Sequence, residues 1–198
     1  MTVKNDRWIN EQASKGMIDP YAATQVKVDQ QGNRIVSYGT SSYGYDTRCA
    51  NEWMVFRPVY DLTPQEMKDY LMDESNTAEE SMVIDPLKNN LMNFMQNVVA
   101  ESVVIPPYGF VLCRTIEYFR IPRDVAVLVI GKSTYARCGI IVNATPLEPE
   151  WEGHITIELS NTNPYPVRIH ANQGIAQCVF HQSDEPCQIS YADKGGKY

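Results

Sequence analysis

The sequence is short of positive charge. Its 17 lysines and arginines face 24 acidic residues, a net charge of −7 with a pI near 5.0. Such a chain has no extended basic surface with which to displace counterions from a nucleic-acid backbone, so no nucleic-acid partner is expected. No run approaches eighteen apolar residues. The densest stretches, Val125–Ile130 and Gly139–Val142, suit buried strands, and no membrane span is expected. Lys4, Asp6, Arg7, Glu11 and Lys15 interrupt the first nineteen residues and leave no apolar signal-peptide centre, so the expected compartment is the cytoplasm. There, the odd set of five cysteines, without short paired spacing, is expected to act as small core hydrophobes.

Several catalytic motifs are also missing. A zinc nucleobase deaminase needs His-x-Glu and Pro-Cys-x-x-Cys segments. None of His154, His170 and His181 precedes a glutamate at that spacing, and Pro186-Cys187 runs on into Gln188, Ile189 and Ser190. No zinc site is therefore expected. Walker-type phosphate loops, dinucleotide glycine fingerprints and a Gly-x-Ser-x-Gly elbow are absent too.

What is present fits one domain over residues 1–198, with 43% hydrophobic residues and twelve prolines against eleven glycines. Trp8, Ile9, Ala13 and Met17 recur at helical spacing before Pro20, which predicts an opening helix. From Arg34 to Arg48, tyrosines broken by Gly39 and Gly44 predict bulged strands and turns. Thr63-Pro64-Gln65-Glu66 has the form of a capping box and predicts a helical insertion near 62–81 that ends in a polar, acidic excursion. Beyond Pro106-Pro107-Tyr108-Gly109 come short β-type runs at Phe110–Thr115, Ala126–Ile130, His154–Leu159, Val167–His170 and Ile175–His181. They leave little room for crossover helices, so the fold class is mainly β, an antiparallel sandwich or barrel with a few short helices.

Two segments could carry chemistry. In Gly131-Lys132-Ser133-Thr134-Tyr135-Ala136-Arg137-Cys138-Gly139, two glycines bracket hydroxyls and cations, and Arg137 lies one helical turn from Ser133. The pattern suits an anion cradle and equally an ordinary solvated helix start. In His154–Leu159, alternation sends Ile155, Ile157 and Leu159 to one face and His154, Thr156 and Glu158 to the other. A carboxylate in the middle of that run needs a wet surface, a partner or a reactive role.

Gly131–Ile140, the block Pro146-Leu147-Glu148-Pro149-Glu150-Trp151-Glu152-Gly153 followed by Glu158, Ser41-Ser42-Tyr43-Gly44-Tyr45-Asp46-x-Arg48, and Tyr191-x-Asp193-x-Gly195-Gly196-Lys197-Tyr198 occur in that family's order. Together they closely resemble the dCTP deaminases, relatives of the trimeric dUTPases. The resemblance implies a distorted β-barrel or jelly-roll homotrimer with active sites between subunits, converting dCTP and water to dUTP and ammonia without zinc. It implies Glu158 as general base and acid, Ser133 as positioner of the water, and Arg137 as support for the charge of the adduct. Lys132 and Thr134, with neighbouring Tyr135 and Ala136, fall where the family grips the triphosphate. Glu148 falls near the deoxyribose. Gln177 and Tyr191 match sugar or phosphate contacts, Lys197 matches a terminal phosphate ligand, and Ala144, Thr145, Thr156 and Ile157 complete the implied substrate contacts. Mg2+ is implied only as the counter-ion of the triphosphate, with dTTP and dUTP as further candidate ligands. Two other readings stay open: a bifunctional deaminase and diphosphatase that forms dUMP, with Glu148 as the second base, and a non-catalytic nucleotide-sensing trimer.

Overall fold

The computed structural model describes residues 2–56, 63–65, 68, 84–87 and 91–195. The predicted insertion near 62–81 is represented by Thr63–Gln65 and Lys68, of which Pro64, Gln65 and Lys68 are helical; its remainder lies outside the described residues, as do Gly196, Lys197 and Tyr198.

Among the described residues, eleven of thirteen strands join in one branched antiparallel sheet that curls into a half-barrel, a mainly β architecture as the sequence predicts. The chain begins with β1 (Thr2–Val3), helix α1 (Asp6–Ser14), β2 (Ile18–Asp19), β3 (Val26–Val28) and β4 (Arg34–Ser41). Asn5 caps α1 by accepting from the Trp8 N–H. Ile9 and Ala13 are the buried residues of the helix, and Met17, predicted on the same face, is buried just beyond the helix end. Strand β5 (Gly44–Phe56) forms a tight hairpin with β4, Ser41 facing Gly44. It then bends, so that its first half pairs with one part of the sheet and its second half with β6 (Met95–Val99) and β8 (Phe110–Arg120).

The remaining strands are β7 (Ser102–Ile105), β9 (Val125–Gly131), β10 (Ile140–Asn143), β11 (Glu152–Asn161), β12 (Val167–His170) and β13 (Gly174–Gln182). Each of the five predicted β runs is a strand, although β8 continues five residues beyond the predicted end at Thr115. The core holds Trp53, Phe119, Phe180, Ile157, Leu159 and Ile175, all nearly solvent-free. Cys49, Cys113 and Cys178 are buried as predicted, and burial pushes the Cys49 thiol up to about 12. Cys138 departs from that expectation. It is exposed in the turn after the helical segment Ser133–Ala136, where the tight turn leaves the core.

No helix among the described residues is long and apolar enough to cross a membrane.

Candidate functional site

The alternation of β11 is realised in space. Ile155, Ile157 and Leu159 are 3% exposed or less, while His154 and Thr156 lie on the opposite, open face with half-buried Glu158. A bulge between His154 and Thr156 interrupts the ladder to β8, and one buried hydroxyl repairs it. Thr115 Oγ1 accepts from the Ile155 N–H at 2.9 Å and donates to the Glu117 carbonyl at 2.7 Å. Without that bridge the Ile155 amide would sit unpaired in the core.

Glu158 looks into a groove of about 730 Å³ whose walls include Leu112, Thr145, Glu148, His154, Thr156 and Tyr191. The loop wall is anchored by Leu147, which is buried and exchanges two backbone hydrogen bonds with Val127 at 2.9 and 3.0 Å. Glu148 accepts from Lys194 Nζ at 2.9 Å, and the Tyr191 N–H bonds the Pro149 carbonyl at 3.0 Å, so the carboxyl-terminal segment closes one side. Arg123 fastens the same segment: its Nη1 meets Glu150 and its Nη2 meets Asp193, each at 2.7 Å. Glu158 itself accepts from the side-chain amide of Asn143, its register partner on β10.

The other predicted residues collect elsewhere. Lys132 precedes α2 (Ser133–Ala136), a single turn pinned to the core by Tyr135, which is 5% exposed. Ser133, Thr134, Ala136 and Arg137 are exposed, and Arg137 Nη1 lies 3.4 Å from Ser133 Oγ. The bracketing glycines have separate causes. A Cβ on Gly131 would meet Val142 at 2.8 Å, whereas Gly139 has φ +70° and is overlaid by the Asn163 side chain. The Lys132 ammonium is not a free cation in this fold. It is paired with Asp46, both side chains being largely buried.

Gln177 belongs to this second group. On β13 it stands in register with Ile130 of β9 on one side and Asp46 of β5 on the other, and its amide donates to Ser41 Oγ at 3.1 Å.

The predicted residues thus fall into two clusters. Glu158, Thr156, Thr145, Glu148 and Tyr191 line one groove, and Lys132, Ser133, Thr134, Arg137 and Gln177 surround the end of β9. None of Ser133, Thr134 and Arg137 lines the groove that holds Glu158. Ile157, expected among the substrate contacts, is 0% exposed and presents no surface to a ligand, and Ala144 packs against the core. Lys197 is outside the described residues.

Glu117, to which sequence reasoning gave no role, is completely buried on β8. Its carboxylate accepts from Tyr45, Thr47, and both the backbone and the guanidinium of Arg48. Burial works against the Arg48 charge, but the Glu117 carboxylate outweighs it and the Arg48 pKa is raised. For Tyr45, burial and then the Glu117 charge both push the phenol far up. The Tyr45-Asp46-x-Arg48 block therefore does two jobs: Tyr45 and Arg48 satisfy a buried acid, and Asp46 holds Lys132. Among the described residues, no three His, Cys, Asp or Glu side chains are grouped as a metal site.

The sequence model of the dCTP deaminase-like family matches residues 3–183. A dCTP deaminase of Acinetobacter baumannii (strain AYE) is 51% identical over 199 aligned positions, covering 100% of this chain and 94% of that protein. One from Halorhodospira halophila is 50% identical with the same coverage. In three dimensions, the fold superposes on 2'-deoxycytidine 5'-triphosphate deaminase from Agrobacterium tumefaciens with a TM-score of 0.58 at 15% identity. That superposition covers 89% of this chain, and the chain spans 45% of that longer one. With the match running through both clusters and the strands that carry them, the chain belongs to the dCTP deaminase-like family.

Proposed function

We propose that the protein hydrolyses the C4 amino group of dCTP, giving dUTP and ammonia, and that Glu158 is the acid–base group. The observation that carries this reading is the placement of Glu158: an acid on the open face of β11, in a groove of about 730 Å³ with Glu148 and Tyr191 on its walls. In the reaction, Glu158 takes a proton from water as the oxygen bonds to C4. It passes that proton to N3, then transfers the second proton of the water to the amine, which leaves as ammonia while the C4 carbonyl forms. Thr145, Glu148 and Tyr191 suit the sugar and phosphate end. Mg2+ belongs to the triphosphate as part of the substrate.

Ser133 and Arg137 would order the attacking water and support charge on the adduct. Because they lie outside the groove, they are supplied to it by a second copy of the chain. Support for self-association comes from Leu128 and Ile130 on β9 and Ile141 on β10, aliphatic side chains about half exposed beside α2 (45%, 53% and 57%). We propose a homotrimer, whose mass light scattering would measure.

The test is incubation with dCTP and Mg2+, reading ammonia and dUTP. Wild type is expected to release both, and Glu158→Gln to lose at least about 1000-fold in kcat. Equal rates for the two proteins would refute the assignment. The same assay reads pyrophosphate, whose release would give Glu148 the additional role of base for attack on phosphorus.

A further inference from the structure

We infer that Asn143 is a positioning residue for the reaction: its side-chain amide fixes the Glu158 carboxylate so that one oxygen is held and the other faces the groove. The inference rests on the acid–base role of Glu158 proposed above and adds a residue to which neither the family likeness nor the sequence assigns a task. Asn143 and Glu158 are direct partners in the antiparallel β10–β11 ladder, so their side chains rise from one face within reach of each other. Asn143 Nδ2 donates to Glu158 Oε2. An ionised carboxylate only accepts, so the amide must present its N–H to it.

That bond has two consequences. A glutamate side chain has three rotatable torsions, and pinning Oε2 from the neighbouring strand removes most of the freedom that would let Oε1 swing out of the groove. The donor is also uncharged, so it orients the base without adding a cation beside the position of C4. The charged and titratable groups around Glu158 come from its own strand and from other elements. His154 is on its own strand and Glu148 on the loop wall, where it is paired with Lys194; Tyr191 comes from the carboxyl-terminal segment, and the Arg114–Glu52 pair from β8 and β5 beside Thr156. The side-chain donor across the β10–β11 ladder is the Asn143 amide.

Asn143 is exposed, so its variants are expected to fold. Asn143→Ala is expected to lower kcat for dCTP by about 10- to 100-fold with KM changed by less than about twofold, since substrate contacts stay in place. Asn143→Asp keeps the shape but sets two carboxylates face to face. It is expected to fall further than Asn143→Ala at neutral pH and to regain part of the difference as pH is lowered and the pair shares a proton. A residue that only shaped the strand would not separate kcat from KM in Asn143→Ala. With wild type active and Glu158→Gln inactive, an Asn143→Ala enzyme at the wild-type kcat, or an Asn143→Asp enzyme no slower than Asn143→Ala at any pH, overturns the role of Asn143 alone. An inactive wild type, or an active Glu158→Gln, overturns the acid–base reading and this inference together.

Discussion

Two glutamates sit in mid-strand on neighbouring strands of the same sheet and have opposite surroundings. Glu117 on β8 has no exposed surface and receives hydrogen bonds from Tyr45, Thr47 and Arg48. Glu158 on β11 is half-buried, accepts from the neutral Asn143 amide, and faces a groove. A carboxylate whose acceptor sites are filled from within the fold has no capacity left for a substrate and serves stability. One that is held at a single oxygen keeps the other for chemistry.

The sharpest way to break this contrast is to neutralise each acid in turn. Glu158→Gln is expected to abolish turnover, as above, while leaving the melting temperature within about 2 °C of wild type, since it removes no core contact. Glu117→Gln is expected to do the reverse. It strands the Arg48 guanidinium beside a neutral amide and replaces an acceptor of Thr47 by a group that also donates. Breaking a buried ion pair costs about 3–5 kcal/mol, or roughly 6–20 °C in melting temperature for a chain of this size. The folded fraction should keep its kcat. A Glu117→Gln protein as stable as wild type would mean that the buried network contributes nothing, and the contrast between the two acids would fail.

A smaller effect tests how the open face of β11 is set. Thr115→Val keeps the shape of the side chain but leaves the Ile155 N–H and the Glu117 carbonyl without the hydroxyl that bridges them. The expected loss is about 1–3 kcal/mol in denaturant unfolding, with an unchanged m-value.

The sequence made one of these acids visible and concealed the other, for a physical reason. The facing of Glu158 follows from local alternation, because Ile155, Ile157 and Leu159 need one buried side. Glu117 broke the same kind of pattern in β8, and the sequence reading ended that strand at Thr115. Its burial is tolerable only because of donors about seventy residues earlier in the chain. The split of the predicted site into two clusters was hidden for a related reason. It depends on β13 lying between β5 and β9, which sets Gln177 beside Asp46 and Ile130, and no local pattern encodes that register. Strands β6 and β7 were missed because each is short and finds its partner far away in sequence, at Val55 and Ile169.

The weakest expected effect concerns the wall of the groove rather than either acid. Asp193 holds the carboxyl-terminal segment by accepting first from the Ser190 backbone N–H at 2.9 Å and then from Arg123 at 2.7 Å. These contacts lower its pKa from 3.8 to about 2. Because the folded value lies below the ordinary one, the stabilisation is complete above pH about 4 and is lost as pH falls through about 2. Amide exchange at Tyr191, whose N–H bonds Pro149, reports that docking. Protection should hold from neutrality down to about pH 4 and weaken below it. Arg123→Ala should leave the onset near pH 4 and raise the pH at which the loss is complete only part of the way, since the larger contribution, the Ser190 amide, remains. A loss in Arg123→Ala that is completed at the same pH as in wild type would assign the whole effect to the backbone turn. The guanidinium would then have no part in holding the segment that brings Lys194 to Glu148.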